Sequence, residues 1–550
     1  MNSLKRRDLL RAGGVLAAMA GTGSIGGTAA AMAFGGTGGP FSHGIASGDP
    51  LPDGVLLWTR VTPIPDALPG SGLGPDVQVV WEVAHDEAFT DMAASGEVTT
   101  GALRDHTVKV DVCGLTPDSW YWYRFRFGDT VSPAGRTRTA PAAGAAVDRL
   151  RMGVVSCSNW QAGYFAAYRH LAERTDLDLV LHLGDYLYEY GVGEYQAGDE
   201  LVRPHDPPIE MTLLEHYRRR HAQYKTDPDL AALHAKVPFV TTWDDHESAN
   251  DAWSGGAENH TEPDEGPWDQ RRAYSQQAYA EWMPVRYEAG GHLYRRFAFG
   301  DLAQLSMLDL RTYRSEQAGN PLDPGIGDPA RTITGDEQME WLKTGLVTTE
   351  AQWKLVGNPV MIAPVQLVST LSTQELNALY QMAGPSVQAI SVNVDQWDGY
   401  AADRAEVFRT LKDNGVRDTV FLTGDIHSAW AAELPGDPLT YPLNRNSVGT
   451  ELVCTSVTSD NLDDILGVPP RTASLAVETA IKLANPHIKH IEFDSHGFSV
   501  LEVTPARVQM DYFQLADRTK PDSAAEHAIS FAVAAGTQRV EKASGPLKTG

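Results

Sequence analysis

Five short runs bring together side chains that can bind a metal or move a proton. They are "SCSNWQ" with Cys157, "GDYLYEY" with Asp185 and Tyr188, "WDDHESAN" with Asp244, Asp245, His246 and Asn250, "LDLRTYR" with Asp309, Arg311 and Arg314, and "TGDIHSAW" with Asp425 and His427. In Asp-x-x-Tyr on a turn, a carboxylate and a phenol can converge on one ion. A phenol holds its proton to about pH 10, so a phenolate ligand calls for a strongly acidic metal, and ferric iron suits it. In Asp-x-His at an extended strand end, the two side chains share one face. Their oxygen and nitrogen could serve two neighbouring ions. Asp-Asp-His-Glu sets oxygen ligands beside a histidine that need not bind metal, and His246 could protonate a leaving oxygen. Arg311 and Arg314 carry planar forks that suit a phosphate. One Asp after a strand is usually a helix cap or turn former. Caps do not also require His, Cys and Tyr, so that reading explains five such ends poorly.

Positioning these residues takes an alternation of strands and helices. From about residue 149, apolar runs such as "RMGVVS", "LDLVLHLG", "FVTTW", "LAQLSMLDL" and "DTVFLTG" each stop on one of the five motifs. Helix-like runs such as "GYFAAYRHLAE", "WDQRRAYSQQAYAEWMP" and "RAEVFRTLKDNG" intervene. That order predicts an α/β domain with a mixed sheet, and ligands in such folds gather at strand C-terminal ends. Residues 40 to about 142 read as all-β, with the late strands resembling a fibronectin-type sandwich and a linker over 140–148. The segment from Glu189 to Lys236 is rich in His, Pro and acid and reads as an insertion over one face. His205, His216, His221 and His260 are expected there as solvated or lid residues. The C-terminal "AAEHAISFAVAAGTQRVEKA" either covers the site or ends the sheet.

The 550-residue chain has a formal charge of −26, from 45 basic and 71 acidic residues. That field repels nucleic acid and anionic membranes, so no nucleic-acid-binding module is expected. An anionic substrate would then need a local positive centre, which metal ions supply. The N-terminus reads "LKRRDLLRAGG" and then a glycine-broken, weakly apolar run ending in "TAAAMAF". Arg6 and Arg7 with that run predict a twin-arginine export signal over 1–34, not a membrane anchor. This route exports folded proteins, which suits one that loads a metal first. No other segment is long and apolar enough to span a bilayer. Cys113, Cys157 and Cys454 are too few for a disulfide framework. Cys113 and Cys454 read as buried small hydrophobes, whereas Cys157 stands at a strand end.

The motif order resembles the calcineurin-like metallophosphoesterases: "GDYLY", "DDHE" and "GDIH" match three of that family's blocks. Cys157 stands where the first block usually has Asp, Asp245 where the third has Asn, and Asp425 where the last has His. The block "GNPVMIAPV" lacks the histidine that usually ligates the second metal. The second site is therefore mainly oxygen, which favours calcium. The wider pattern resembles the alkaline phosphatase D (PhoD-like) family, through "FSHGIASGDP", "LWTRV", "SCSNWQAGYF", "LHLGDYLYEY", "TWDDHE", "EWMPVR", "LDLRTYR" and "LTGDIHSAW" in order.

That resemblance covers nearly all of residues 40–520 and sets the expectations. The fold would be an α/β, four-layer αββα metallophosphoesterase core over 146–550, with an N-terminal fibronectin/immunoglobulin-like β-sandwich over 35–145. The activity would be hydrolysis of phosphomonoesters and phosphodiesters by attack of a metal-bound hydroxide. A phospholipase D-like phosphodiesterase acting on phospholipid head groups is the alternative. Fe3+ and Ca2+ are the implied cofactors. Cys157, Asp185, Tyr188 and His427 would hold the iron. Asp185 would bridge to calcium, joined by Asp425 and an oxygen from either Asp245 or Asn250, with Asp244 a supporting or turn residue. His246 would meet the phosphate or leaving group, and Arg311 or Arg314 would bind phosphate oxygens, unless one pairs with an acid such as Glu316. The protein is expected as a secreted, periplasmic or cell-wall-associated monomer acting on a phosphate ester.

Overall fold

A computed structural model describes residues 39–198, 200–320, 323–366, 393–438 and 440–548. The expected signal segment, 1–34, lies outside the described residues.

Two large sheets face each other. The first has ten strands. Its centre is three parallel strands, Leu150–Val155, Leu179–His182 and Phe239–Thr241, in register through Val155↔His182 and His182↔Thr241. The second has seven strands, with Ala303–Met307, Trp353–Asn358, Thr419–Thr423 and Ser447–Val453 parallel at its centre. These strands are near-continuous apolar runs because both faces are covered. Val154, Leu181, Leu305, Leu355, Leu422 and Leu452 pack between the sheets. The helix Ala166–Glu173 covers the outer face of the first sheet through Tyr168 and Leu171. The helices Asp336–Thr348 and Ala401–Asp413 cover the second through Leu342, Val407 and Leu411. The layers are thus helix, sheet, sheet, helix, as the sequence implies. Among the described residues, no helix is long and apolar enough to cross a membrane.

The front β region is a sandwich, but it does not stand apart from the core. Its strands Ile45–Leu51, Gly54–Arg60 and Thr107–Cys113 continue the ten-stranded sheet, joined by parallel pairing of Gly48 with Phe239. Gly48 permits the junction: a Cβ there would lie 1.9 Å from the Pro284 carbonyl oxygen. The other layer is the small sheet built on Val77–Ala84 and Trp120–Phe127, and Val55, Leu57, Val83 and Tyr123 fill the space between.

Two local expectations are corrected, and one open alternative is settled. The histidines of the 189–236 segment are not solvated: His205, His216 and His221 are buried. Tyr217, Tyr224, Leu230 and Leu233 turn the helices Leu214–Lys225 and Pro228–Lys236 inward against the first sheet and carry those histidines with them. Cys113 is exposed, because its strand is an outermost strand of the sheet, whereas Cys454 is buried and all three thiols are free. The C-terminal run extends the first sheet as the strands Ala525–Ala534 and Val540–Lys542.

Candidate metal centre and active site

Four core strands leave their sheets at the same edge, and each turns sharply to present a polar side chain. Cys157 follows Leu150–Val155, Asp185 follows Leu179–His182, Asp244 and Asp245 follow Phe239–Thr241, and Asp425 and His427 follow Thr419–Thr423. Cys157, Asp185, Asp425 and His427 all have left-handed backbone, with φ of 59°, 53°, 65° and 52°. Asp and His tolerate that region better than most residues, and Cys157 is the odd member. Each such residue costs about 1–2 kcal/mol. Clustered strain of this kind marks a site where geometry has been favoured over stability. Gly184 makes the Asp185 turn possible: its φ is 104°, and a Cβ would come within 2.6 Å of the Asp244 Cβ.

The turns bring three donor groups together, each with its ligand atoms within 4.8 Å: Cys157, Asp185 and His427; Asp185, Asp245 and His246; and Asp244, Asp245 and Asp425. All but the half-buried His427 are buried. Tyr188 joins the first group, since its hydroxyl donates to Asp185 Oδ2 at 3.1 Å and lies 3.4 Å from His427 Nε2. His427 Nδ1 is 2.9 Å from the Asp460 carbonyl. A carbonyl can only accept, so Nδ1 carries a proton and Nε2 is the ring nitrogen turned toward the group. Burial, then the neighbouring Asp185, pushes both the Cys157 thiol and the Tyr188 phenol well above their ordinary values. A cation at this point reverses that balance, since metal coordination deprotonates a thiol. Thiol, phenol, carboxylate and imidazole fit ferric iron, and the all-carboxylate group beside them fits a hard cation such as calcium.

The carboxylate group surrounds one guanidinium. Arg311 pairs with Asp244 through Nε at 2.5 Å and Nη2 at 3.0 Å, and with Asp395 at 2.9 and 3.0 Å. Its Nη2 also lies 3.6 Å from Asp245 and 3.9 Å from Asp425. That much acid around one guanidinium is a place for a further cation. Arg314 is fully buried and spends its fork on the Asp395 carboxylate and carbonyl. The acid that engages these arginines is therefore Asp395, and Glu316 is not their partner. The Asn250 amide nitrogen donates to Glu258 at 3.2 Å.

His246 lies beside the metal donors with its Nδ1 2.8 Å from Glu189 Oε2. Its ring packs on Tyr188 at 4.1 Å between centroids, with Tyr190 at 5.5 Å. Burial alone would lower its pKa, but Asp245, Glu189 and Asp185 outweigh that and raise it well above the ordinary value. Those carboxylates favour the protonated form of the ring.

Sequence reasoning missed the residues that hold these turns. Glu247 accepts from the backbone N–H of Asp185, Tyr186 and Asp244, at 3.2, 2.6 and 2.9 Å, tying two metal-facing turns together. Glu189 and Glu247 both sit inside motifs already singled out, so the signal was present. Asp395 and Ser459 carry no local signal, because their roles depend on which distant loop they meet.

Acidic, thiol, phenol and imidazole donors at the strand ends of a two-sheet α/β sandwich make a candidate metal-dependent hydrolase centre. The PhoD-like phosphatase family model matches residues 152–512, and the model for that family's N-terminal domain matches residues 27–141. Alkaline phosphatase D of Bacillus subtilis (strain 168) is 38% identical over 502 residues, covering 90% of this chain and 80% of the relative. A solved structure titled "Structure of PhoD" superposes with a TM-score of 0.82 at 36% identity, covering 94% of this chain and 95% of that one. The chain belongs to the PhoD-like phosphatase family, and it is a phosphoric ester hydrolase.

Proposed function

We propose that this enzyme hydrolyses phosphomonoesters and phosphodiesters with ferric iron and calcium bound at the strand-end centre. The observation that carries the reading is the meeting of two donor groups of different chemistry, Cys157–Asp185–His427 and Asp244–Asp245–Asp425. Cys157, Asp185, Tyr188 and His427 would hold iron. Asp185 would face both ions, with Asp425 and Asp245 toward calcium. Asp245 is preferred to Asn250 because its carboxylate already meets Asp185, Asp244 and Asp425 in these groups. When bound, the ions would acidify water and offset charge on the phosphoryl oxygens.

The chain's own residues would do the rest. Glu189 fixes the His246 ring through Nδ1, so Nε2 is the atom left to give a proton to the leaving oxygen. Arg311, whose Nη2 lies 3.6 Å from Asp245 and 3.9 Å from Asp425, would reach a phosphoryl oxygen by exchanging one of the Nη2 hydrogen bonds it gives Asp244 and Asp395. Arg314, which gives both Nη groups to Asp395, would hold Arg311's partner instead of the phosphate. Arg6, Arg7 and the weakly apolar run after them support export by the twin-arginine route.

Elemental analysis of the purified protein, with rates on p-nitrophenyl phosphate, bis-p-nitrophenyl phosphate and phosphatidylcholine, tests the reading. Iron and calcium together with turnover of both nitrophenyl esters is the expected result. Preferred turnover of phosphatidylcholine would move the reading to a phospholipid diesterase. Iron- and calcium-loaded protein that cleaves none of the three would overturn it.

A further inference from the structure

The loop after the strand Ser447–Val453 reaches three of the four residues on the thiol side of the centre. Ser459 Oγ lies 2.6 Å from the Tyr188 hydroxyl and 3.0 Å from the Cys157 carbonyl oxygen. The backbone N–H groups of Thr458 and Ser459 both point at that same carbonyl, at 3.3 Å. The next carbonyl, of Asp460, is the one that holds His427 Nδ1 at 2.9 Å. Ser459 is fully buried, so no water competes for its hydroxyl hydrogen.

A serine hydroxyl has one hydrogen, and here two acceptors stand within reach. While Tyr188 is a phenol, its own hydrogen goes to Asp185 Oδ2, and Ser459 can satisfy the Cys157 carbonyl. Once Tyr188 has lost its proton, the phenolate is the stronger acceptor, because hydrogen bonds to charged groups are roughly twice as strong. The backbone amides of Thr458 and Ser459 then remain on the carbonyl, so turning the hydroxyl strands nothing.

The loop is pinned from outside. Arg518 donates to the Thr458 carbonyl at 2.6 Å through Nη1 and to Asp460 Oδ1 at 2.7 Å through Nη2, with Asp464 at 3.0 Å. His496 Nε2 meets the Ser459 carbonyl at 3.0 Å. Arg518 thereby sets where the serine hydroxyl and the Asp460 carbonyl stand.

The geometry points to Ser459 as a positioning residue that donates its hydrogen bond to the Tyr188 phenolate and so sets the electron-donating strength of that ligand toward iron, with Arg518 holding it in place. This rests on the ferric-phenolate reading given under Proposed function. A hydrogen bond draws charge from the phenolate oxygen. Its loss makes the phenolate a stronger donor and lowers the energy of the phenolate-to-iron transition.

The test is the visible absorption spectrum and iron content of iron-loaded wild type, Ser459→Ala, Ser459→Thr and Arg518→Lys. Ser459→Ala should shift the band to longer wavelength at equal iron content. Ser459→Thr, which keeps a hydroxyl, should restore the wild-type band. Arg518→Lys, which keeps the charge but loses the fork, should give a smaller shift in the same direction, and it serves if Ser459→Ala does not fold. An unmoved band in iron-replete Ser459→Ala would overturn the role of Ser459 alone. No visible band in iron-replete wild type, or a band that survives Tyr188→Phe unchanged, would remove the ferric-phenolate reading itself.

Discussion

The two halves of the centre are held in opposite ways. Around the Cys157, Tyr188 and His427 side chains the supporting contacts are mainly neutral, from backbone groups and a serine hydroxyl, with the Arg220 guanidinium on the Tyr188 carbonyl. Around Asp244, Asp245 and Asp425 the support is ionic, and Arg311 is its hub. Neutral support fixes the shape of a ligand set without supplying charge. Ionic support supplies charge, but breaking it leaves a buried carboxylate without its cation, a cost of several kcal/mol. The first half is thus built for selectivity and the second for charge balance. Asp185 belongs to both.

Five substitutions probe that contrast and the turn beneath it. The largest effect is expected at the shared residue. Asp185→Asn should remove both ions and lower activity by well over ~100-fold, beyond the loss typical for residues that only support a ligand. Elemental analysis retaining either ion at wild-type level would show that the halves do not share this carboxylate.

Cys157→Ala should separate the halves. Iron and activity should fall together while calcium stays, because the thiol touches only the first group. Unchanged iron in the variant would remove Cys157 from the ligand set.

Arg311→Gln should act on the ionic half. Leaving Asp244 without its guanidinium, and Asp395 with Arg314 alone, should cost about 3–5 kcal/mol of stability, and activity should fall as well. Arg314→Gln should destabilise through Asp395 but leave kcat near wild type once folded. Chemical denaturation and kinetics on both variants compare them, and equal loss of kcat in the two would argue against a distinct substrate role for Arg311.

The smallest effect lies beneath the Asp185 turn. Burial, with Lys225 nearby, lowers the His182 pKa to about 3. A folded-state value below the unfolded one means the neutral form is favoured on folding. That stability is complete above about pH 6.5 and is lost as pH falls toward 3, up to on the order of 4 kcal/mol. His182→Phe removes the titration and also the 3.0 Å contact with the Tyr168 hydroxyl. Its melting temperature should therefore start lower at neutral pH and fall less on acidification. A wild-type and variant pair that decline in parallel would take His182 out of the acid response.

Much of this was legible in order along the chain. Strand runs that stop on Cys, Asp-x-x-Tyr, Asp-Asp-His-Glu and Asp-x-His encode both the α/β alternation and the donors, because ligand type and strand end are local properties. The solvated state expected of His205, His216 and His221 failed because helix faces in a polar segment are settled by what they pack on. Tyr217 and Tyr224 decided that, not the histidines. The exposed Cys113 failed for a like reason: an apolar alternation does not reveal which strand is outermost.

The choice between alternatives belonged to the tertiary structure. Arg311 and Arg314 are three residues apart and chemically identical, and only the Asp395 loop, far along the chain, separates the one facing the carboxylates from the one locked beneath. Asp245 and Asn250 share a motif, and the fold brings Asp245 beside Asp185, Asp244 and Asp425 while the Asn250 amide nitrogen meets Glu258. Ser459 lies in an ordinary stretch of sequence, yet it meets Tyr188 across 271 residues at 2.6 Å. The sequence by itself determined which side chains end each strand, because that depends on neighbours in the chain. Which of them face one another, and what holds them there, depended on contacts between distant loops, which no local spacing encodes.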